Sequence, residues 1–271
     1  MPRVRPNARA PLFAALAFAL CAAAGARAQS GGEPRLDSLR LVAELPEGLP
    51  KRISSIAYDG EKIWVMLYHG DGRHARLDPE TLDWEPSREQ GRHDAVADVA
   101  GAFKSPGGAC FEGGRLWVGG SYGESFGYVD TRDWKVGRVF RVRQAGGKAS
   151  QSYAGLACDG AHVWVAWHWF RYDLPASQTQ ALLKLDPETG GVVARYPLPA
   201  GTPNDGVHGL TWDGSRLWHA KDNRLSAIDP ATGSVTSDYF LPAVRRATGL
   251  AWDGRSLWIS EFDGKIWRLF F

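Results

Sequence analysis

Histidine is the side chain whose charge changes closest to neutral pH, and five of the seven in this chain gather in irregular segments: His69, His74, His93, His168 and His208. Segment 167–180 (WHWFRYDLPASQTQ) sets Trp167, Trp169, Arg171, Tyr172 and Asp173 around His168. Large aromatics beside titratable groups are the makings of a ligand cleft, and a hydrophobic cap without a ligand is the competing reading. Segment 202–214 (TPNDGVHGLTWDG) brings Asn204, Asp205 and His208 close together. Two oxygen donors and an imidazole suit a divalent ion, Ca²⁺ or Zn²⁺; a solvated polar rim is the alternative. Glu124 and Glu261 are candidate carboxylates for moving protons if the chain is an enzyme, with Tyr122 near the first of them.

Familiar catalytic signatures do not occur. The chain has no GxSxG elbow, HExxH, P-loop, EF-hand loop or CxxCH haem site.

The chain opens as an exported protein does. Arg3, Arg5 and Arg9 precede an apolar run at 12–24, and Ala26-Arg27-Ala28 offers small residues for cleavage before Gln29. We read 1–28 as a signal peptide, 29–37 as a linker, and the mature protein as periplasmic or secreted, with no transmembrane segment. The leader holds four arginines and no acid, so the mature chain has 28 Lys and Arg against 30 Asp and Glu, a net charge of −2. Nucleic acid is therefore not an expected partner. A small-molecule, glycan or peptide ligand is, bound by a monomer. Outside the leader only Cys110 and Cys158 remain. Both sit in first strands of neighbouring repeats, within reach of a disulfide or as two buried thiols.

The elements that position these groups are written as a repeat. One phrase occurs five times: SIAYDGEKIWV (55–65), GACFEGGRLWV (108–118), GLACDGAHVWV (155–165), GLTWDGSRLWH (209–219) and GLAWDGRSLWI (249–259). Each reads as two short strands around an Asp-Gly or Glu-Gly-Gly turn. A second phrase, as in LKLDPETGGVV (183–193) and SAIDPATGSV (226–235), adds two further strands. Four antiparallel strands recurring every 40 to 54 residues are the blades of a propeller. The fifth copy ends at KIWRLFF (265–271) with no fourth strand, and LRLVAELPEG (39–48) matches the fourth-strand phrases. The fold expected over 38–271 is therefore all-β: a five-bladed β-propeller, four antiparallel strands per blade, its last blade closed by the N-terminal strand.

Trp64, Trp117, Trp164, Trp218 and Trp258 recur in the second strand; Tyr58, Phe111, Cys158, Trp212 and Trp252 recur in the first. Both series are expected to fill space between blades. Turns within strand pairs share one face of the propeller. Loops from second to third and from fourth to first strand share the other, where binding residues are expected.

The repeat, G-L-x-W-D-G-x-x-L-W followed by I-D-P-x-T-G-x-V, resembles the superfamily of glutaminyl-peptide cyclotransferases, secreted five-bladed propellers. It is also similar to streptogramin-lyase-like and gluconolactonase-like propellers. The resemblance implies an alternative function, a cyclotransferase or lactonase, with or without a central divalent ion. In that case Glu124 or Glu261 would move protons while Trp169 and Tyr122 hold the substrate.

Overall fold

The computed structural model describes residues 33–68, 72–86, 90–101, 105–121, 125–141, 151–170, 173–199 and 208–271. A single 3-10 turn (Leu36–Ser38) leads into β1 (Arg40–Glu44). Blade one is β2 (Ile53–Tyr58), β3 (Ile63–Leu67), β4 (His74–Leu77) and β5 (Trp84–Pro86). A helix, α1 (Gln90–Ala100), precedes blade two: β6 (Pro106–Glu112), β7 (Arg115–Gly120), β8 (Ser125–Asp130) and β9 (Lys135–Arg141). Blade three is β10 (Gln151–Cys158), β11 (Val163–Trp169), β12 (Gln180–Leu185) and β13 (Val192–Tyr196), with the short helix α2 (Ala176–Thr179) between β11 and β12. Blade four is β14 (Gly209–Trp212), β15 (Leu217–Lys221), β16 (Arg224–Ile228) and β17 (Val235–Phe240). Blade five takes β18 (Ala247–Trp252), β19 (Ser256–Glu261) and β20 (Lys265–Phe270), and β1 pairs antiparallel with β20 to complete it. The N-terminal strand closes the ring as the sequence implies.

The repeated aspartate earns its place through the repeated tryptophan. Asp59, Asp159, Asp213 and Asp253 each accept the indole N–H of the Trp five residues on, at 2.5, 2.7, 2.8 and 2.7 Å. The other carboxylate oxygen accepts the backbone N–H groups of the turn, as Asp213 does from Ser215 and Arg216. Burial alone would push the Asp159, Asp213 and Asp253 carboxyls up, yet hydrogen bonds led by the Trp N–H hold all three below the ordinary value. The five marker tryptophans are buried, as expected. Blade two has Glu112-Gly113-Gly114 at this turn, and both glycines adopt positive φ (58° and 77°).

The repeated glycine is explained by closure around the axis. The inner strands β2, β6, β10, β14 and β18 pack side by side in a ring. A Cβ on Gly249 would stand 2.5 Å from the Ile56 backbone nitrogen, and one on Gly108 would stand 2.6 Å from that of Gly155. Blade one carries Ser55 instead, whose hydroxyl accepts the Ala109 N–H at 3.0 Å. At this level backbone meets backbone.

The first-strand series Tyr58, Phe111, Cys158, Trp212 and Trp252 packs against the core clusters between neighbouring blades, as expected. These side chains are only partly buried. They lie beyond the glycine ring, where with Cys110, Leu156 and Leu250 they line an axial cavity of about 90 Å³ at the turn-bearing end. Cys110 and Cys158 are disulfide-bonded across blades two and three, Cα atoms 5.8 Å apart. Among the described residues no helix is long and apolar enough to cross a membrane.

Candidate functional site

The loop-bearing face begins where the repeat breaks. At the last position of the repeated phrase four blades carry Val65, Val118, Val165 or Ile259, and blade four carries His219. His219 sits on β15 opposite Leu210 and Ser226. His208 immediately precedes β14, and His168 stands near the end of β11, opposite Ser152 and Gln180. Blades three and four thus bring three histidines together. His208 Nδ1 lies 2.8 Å from His219 Nε2, and the rings of His168 and His208 have centroids 4.3 Å apart. His168 and His208 are wholly buried and His219 nearly so, so His208 is not part of a solvated polar rim.

Burial sets their charge. Desolvation, aided by the other histidines and Lys221, drives the His208 pKa well below its ordinary value, and desolvation with His168 and Lys221 takes His219 to about 3. Both are neutral at pH 7, so one ring N–H of the pair donates to the other's lone pair. Either way His208 Nε2 is buried with no hydrogen-bond partner. Gln151, Ser152, Gln180 and Lys221 are also buried around this pole. The corresponding positions at the turn-bearing end are stereotyped turns.

The aromatic insert divides. Trp167 is buried in the blade-three core and donates its indole N–H to Gln151 Oε1 at 2.9 Å, so it is a packing residue that the repeat did not reveal. Trp169 is half-buried against the same core, and Asp173 is exposed. Between blades one and two the described residues 90–101 are mostly α1. This helix packs on blade two through Ala95, Val96, Val99 and Ala100 rather than walling a cleft. His93 on α1 meets His74 (Nδ1 to Nδ1 3.4 Å), and His74 stacks on Trp134. Burial lowers the His74 pKa to about 4. This pair belongs to the packing of α1.

Glu261 is 2% exposed and fully engaged. Its Oε1 accepts the backbone N–H groups of Arg245 and Arg246 at 2.5 and 3.2 Å, and its Oε2 accepts the Trp267 indole N–H at 2.7 Å. It anchors a loop. Tyr122, Glu124, Tyr172, Asn204 and Asp205 lie outside the described residues, as do His69, Asp71 and Arg171. Among the described residues no group of three or more His, Cys, Asp or Glu is disposed to hold a metal ion. Sequence reasoning missed His219, although a histidine where every other blade has Val or Ile was a visible signal.

No protein-family model matches this chain, and neither does any curated protein. Among solved structures it is similar to the glutaminyl cyclase of Myxococcus xanthus, with TM-score 0.56 and 12% identity over 85% of this chain and 95% of that one. More distant likenesses are a chain of the mitotic checkpoint complex (TM-score 0.45, 12% identity, 96% of this chain and 67% of that one) and the β-propeller domain of Myceliophteria thermophila Cps50 (Swd1) (TM-score 0.43, 18%, 82% and 65%). At 12% identity the likeness to the cyclase is one of fold, and the chain shares that five-bladed propeller architecture.

Proposed function

We propose that this is an exported binding propeller that takes a small molecule, glycan or peptide at its loop-bearing face, over blades three and four. The observation that carries the reading is the buried His208–His219 pair with His208 Nε2 left without a protein partner. A buried polar atom left unsatisfied costs about 1–3 kcal/mol. A ligand hydroxyl or amide reaching His208 would recover that cost, and neutral imidazoles suit an uncharged polar group. Export is supported by the leader-like start and by the Cys110–Cys158 disulfide, a bond favoured in oxidising compartments.

Calorimetric titration of the protein with short neutral oligosaccharides and peptides tests this reading. His219→Val, which restores the residue type of the other blades, is expected to weaken binding at least tenfold. A variant that binds like the parent overturns it.

The alternative, a cyclotransferase or lactonase, is supported by the fold likeness to a glutaminyl cyclase. With the Glu261 oxygens taken by three donors, proton transfer in that reading falls to Glu124. A central Ca²⁺ or Zn²⁺ would draw on Asn204, Asp205 and His208. Turnover of an N-terminal-Gln peptide or a lactone by the purified protein, lost in Glu124→Gln, would favour this alternative.

A further inference from the structure

Across the mouth from the histidines, blades five and one assemble a different chemistry. Four segments meet there: the β1–β2 loop with Arg52, the end of β3 with Tyr68, the β17–β18 loop with Arg245 and Arg246, and the β19–β20 turn with Phe262. Both Arg52 and Arg246 place their guanidinium carbons over the Phe262 ring, 5.5 and 4.4 Å from its centroid, and Tyr68 packs on the same ring at 5.6 Å. Arg52, Arg245 and Arg246 are exposed. Among the described residues none of the three has an acidic partner. The nearby acids are committed elsewhere: Asp263 pairs with Lys265 at 2.7 Å, and Glu261 is taken up by two backbone N–H groups and the Trp267 indole.

The arginines are held in place from below. Glu261 fixes the backbone of Arg245 and Arg246; Phe262 N–H donates to the Arg246 carbonyl at 3.1 Å, and Ala247 N–H to that of Asp222 at 3.0 Å. Arg52 N–H donates to the Pro50 carbonyl and its own carbonyl accepts Tyr68 N–H, both at 2.8 Å, while Ile53 N–H reaches the Phe262 carbonyl at 3.3 Å. A guanidinium over an aromatic ring is attracted to its face without using its N–H groups on a carboxylate, which leaves them for an acceptor. Two such forks on one ring, in a protein whose expected mature charge is −2, are a local feature with local use.

We propose that Arg52 and Arg246, floored by Phe262, form a subsite for a carboxylate group of the ligand. A planar carboxylate matches the guanidinium edge with two parallel hydrogen bonds. The proposal deepens the binding reading above, whose histidine pole addresses an uncharged part of the ligand. The carboxylate belongs either to an acidic sugar or to an acidic peptide.

Titrate the purified protein with a short oligouronate and with a short oligoglutamate, each beside its methyl ester, and with inorganic phosphate. One acid is expected to bind at least tenfold more tightly than its ester, and the acid that does so identifies the source. Arg52→Gln and Arg246→Gln should each remove most of that acid-to-ester ratio at unchanged melting temperature. Arg132→Gln, on the opposite face and paired with Asp130, should leave it intact. The ratio also separates the two readings, because His219→Val should weaken acid and ester alike. Equal binding of acid and ester, tighter binding of phosphate than of either acid, or parent-like ratios in both arginine variants would overturn the subsite.

Discussion

At the turn-bearing end of the propeller, four of the five blades solve the same problem identically: an aspartate ties its turn and receives the indole of a buried tryptophan. At the loop-bearing end, among the described residues, the blades differ from one another. Blade one leads into a helix, blades three and four bury histidines, and blade five anchors a pair of arginines through Glu261. The difference teaches where to look for function in a repeat protein. Periodic residues are accounted for by closing the ring, so chemistry lies where a copy departs from the rest.

The comparison breaks most completely if closure is removed. Deleting residues 29–48 takes away β1 and leaves the β20 edge unpaired. The truncated chain is expected to be insoluble or to melt far below the parent, which differential scanning fluorimetry will show; parent-like melting would mean that the ring does not depend on β1.

The tryptophans come next. Trp218→Ala empties a buried site and orphans Asp213, and should cost about 3–5 kcal/mol in urea unfolding. Trp169→Ala, half-buried at the loop-bearing end, should cost about 1–2 kcal/mol. Equal losses would make the Trp169 segment a structural plug of the same kind as the repeat.

Reduction of the disulfide probes the turn-bearing end alone. Cys110 and Cys158 are separated by 48 residues, and opening such a loop should lower stability by about 2–4 kcal/mol. Alkylation without reductant should label neither cysteine. Labelling of both would remove the bridge and return the pair to free thiols.

The histidines give the effect that depends on pH. A histidine held neutral by burial has its folded pKa below the unfolded value near 6.5, so on acidification the unfolded chain takes up the proton first. The stability is complete above about pH 6.5 and drains as pH falls towards about 4 for His74 and about 3 for His219. Each group should contribute a slope of about 1.4 kcal/mol per pH unit over that window. Urea unfolding at pH 7, 6 and 5 should show a shallower slope for His219→Val; an unchanged slope would mean that His219 is not neutral because of burial.

Much of this architecture can be read from the chain because blades are local. Asp-Gly turns, marker tryptophans and the 39–48 match identify strands whose partners lie a few residues away or follow the repeat. What the sequence hides is radial and cross-blade placement. The Tyr58 series and the Trp64 series have the same period and both pack between blades, yet the first is only partly buried and also lines an axial cavity, a distinction set by strand position within the sheet. The meeting of His168 and His208 with His219 is not legible in the sequence because it depends on the packing of two blades. Arg52 and Arg246 come from opposite ends of the chain and share one ring only after closure.

That closure also orders events in time. Each blade can fold from hairpins as soon as its own residues are available, but Ser38 must wait for Phe270, 232 residues later, before their hydrogen bonds form. Among the described residues the seam holds the most non-local hydrogen bonds, the slowest kind to find. Until it forms, β1 and β20 are two bare edges capable of pairing with a neighbouring chain. The Arg52 carboxylate subsite lies on that seam, so it cannot exist in a nascent or half-folded propeller: competence to bind there would report that the ring has shut.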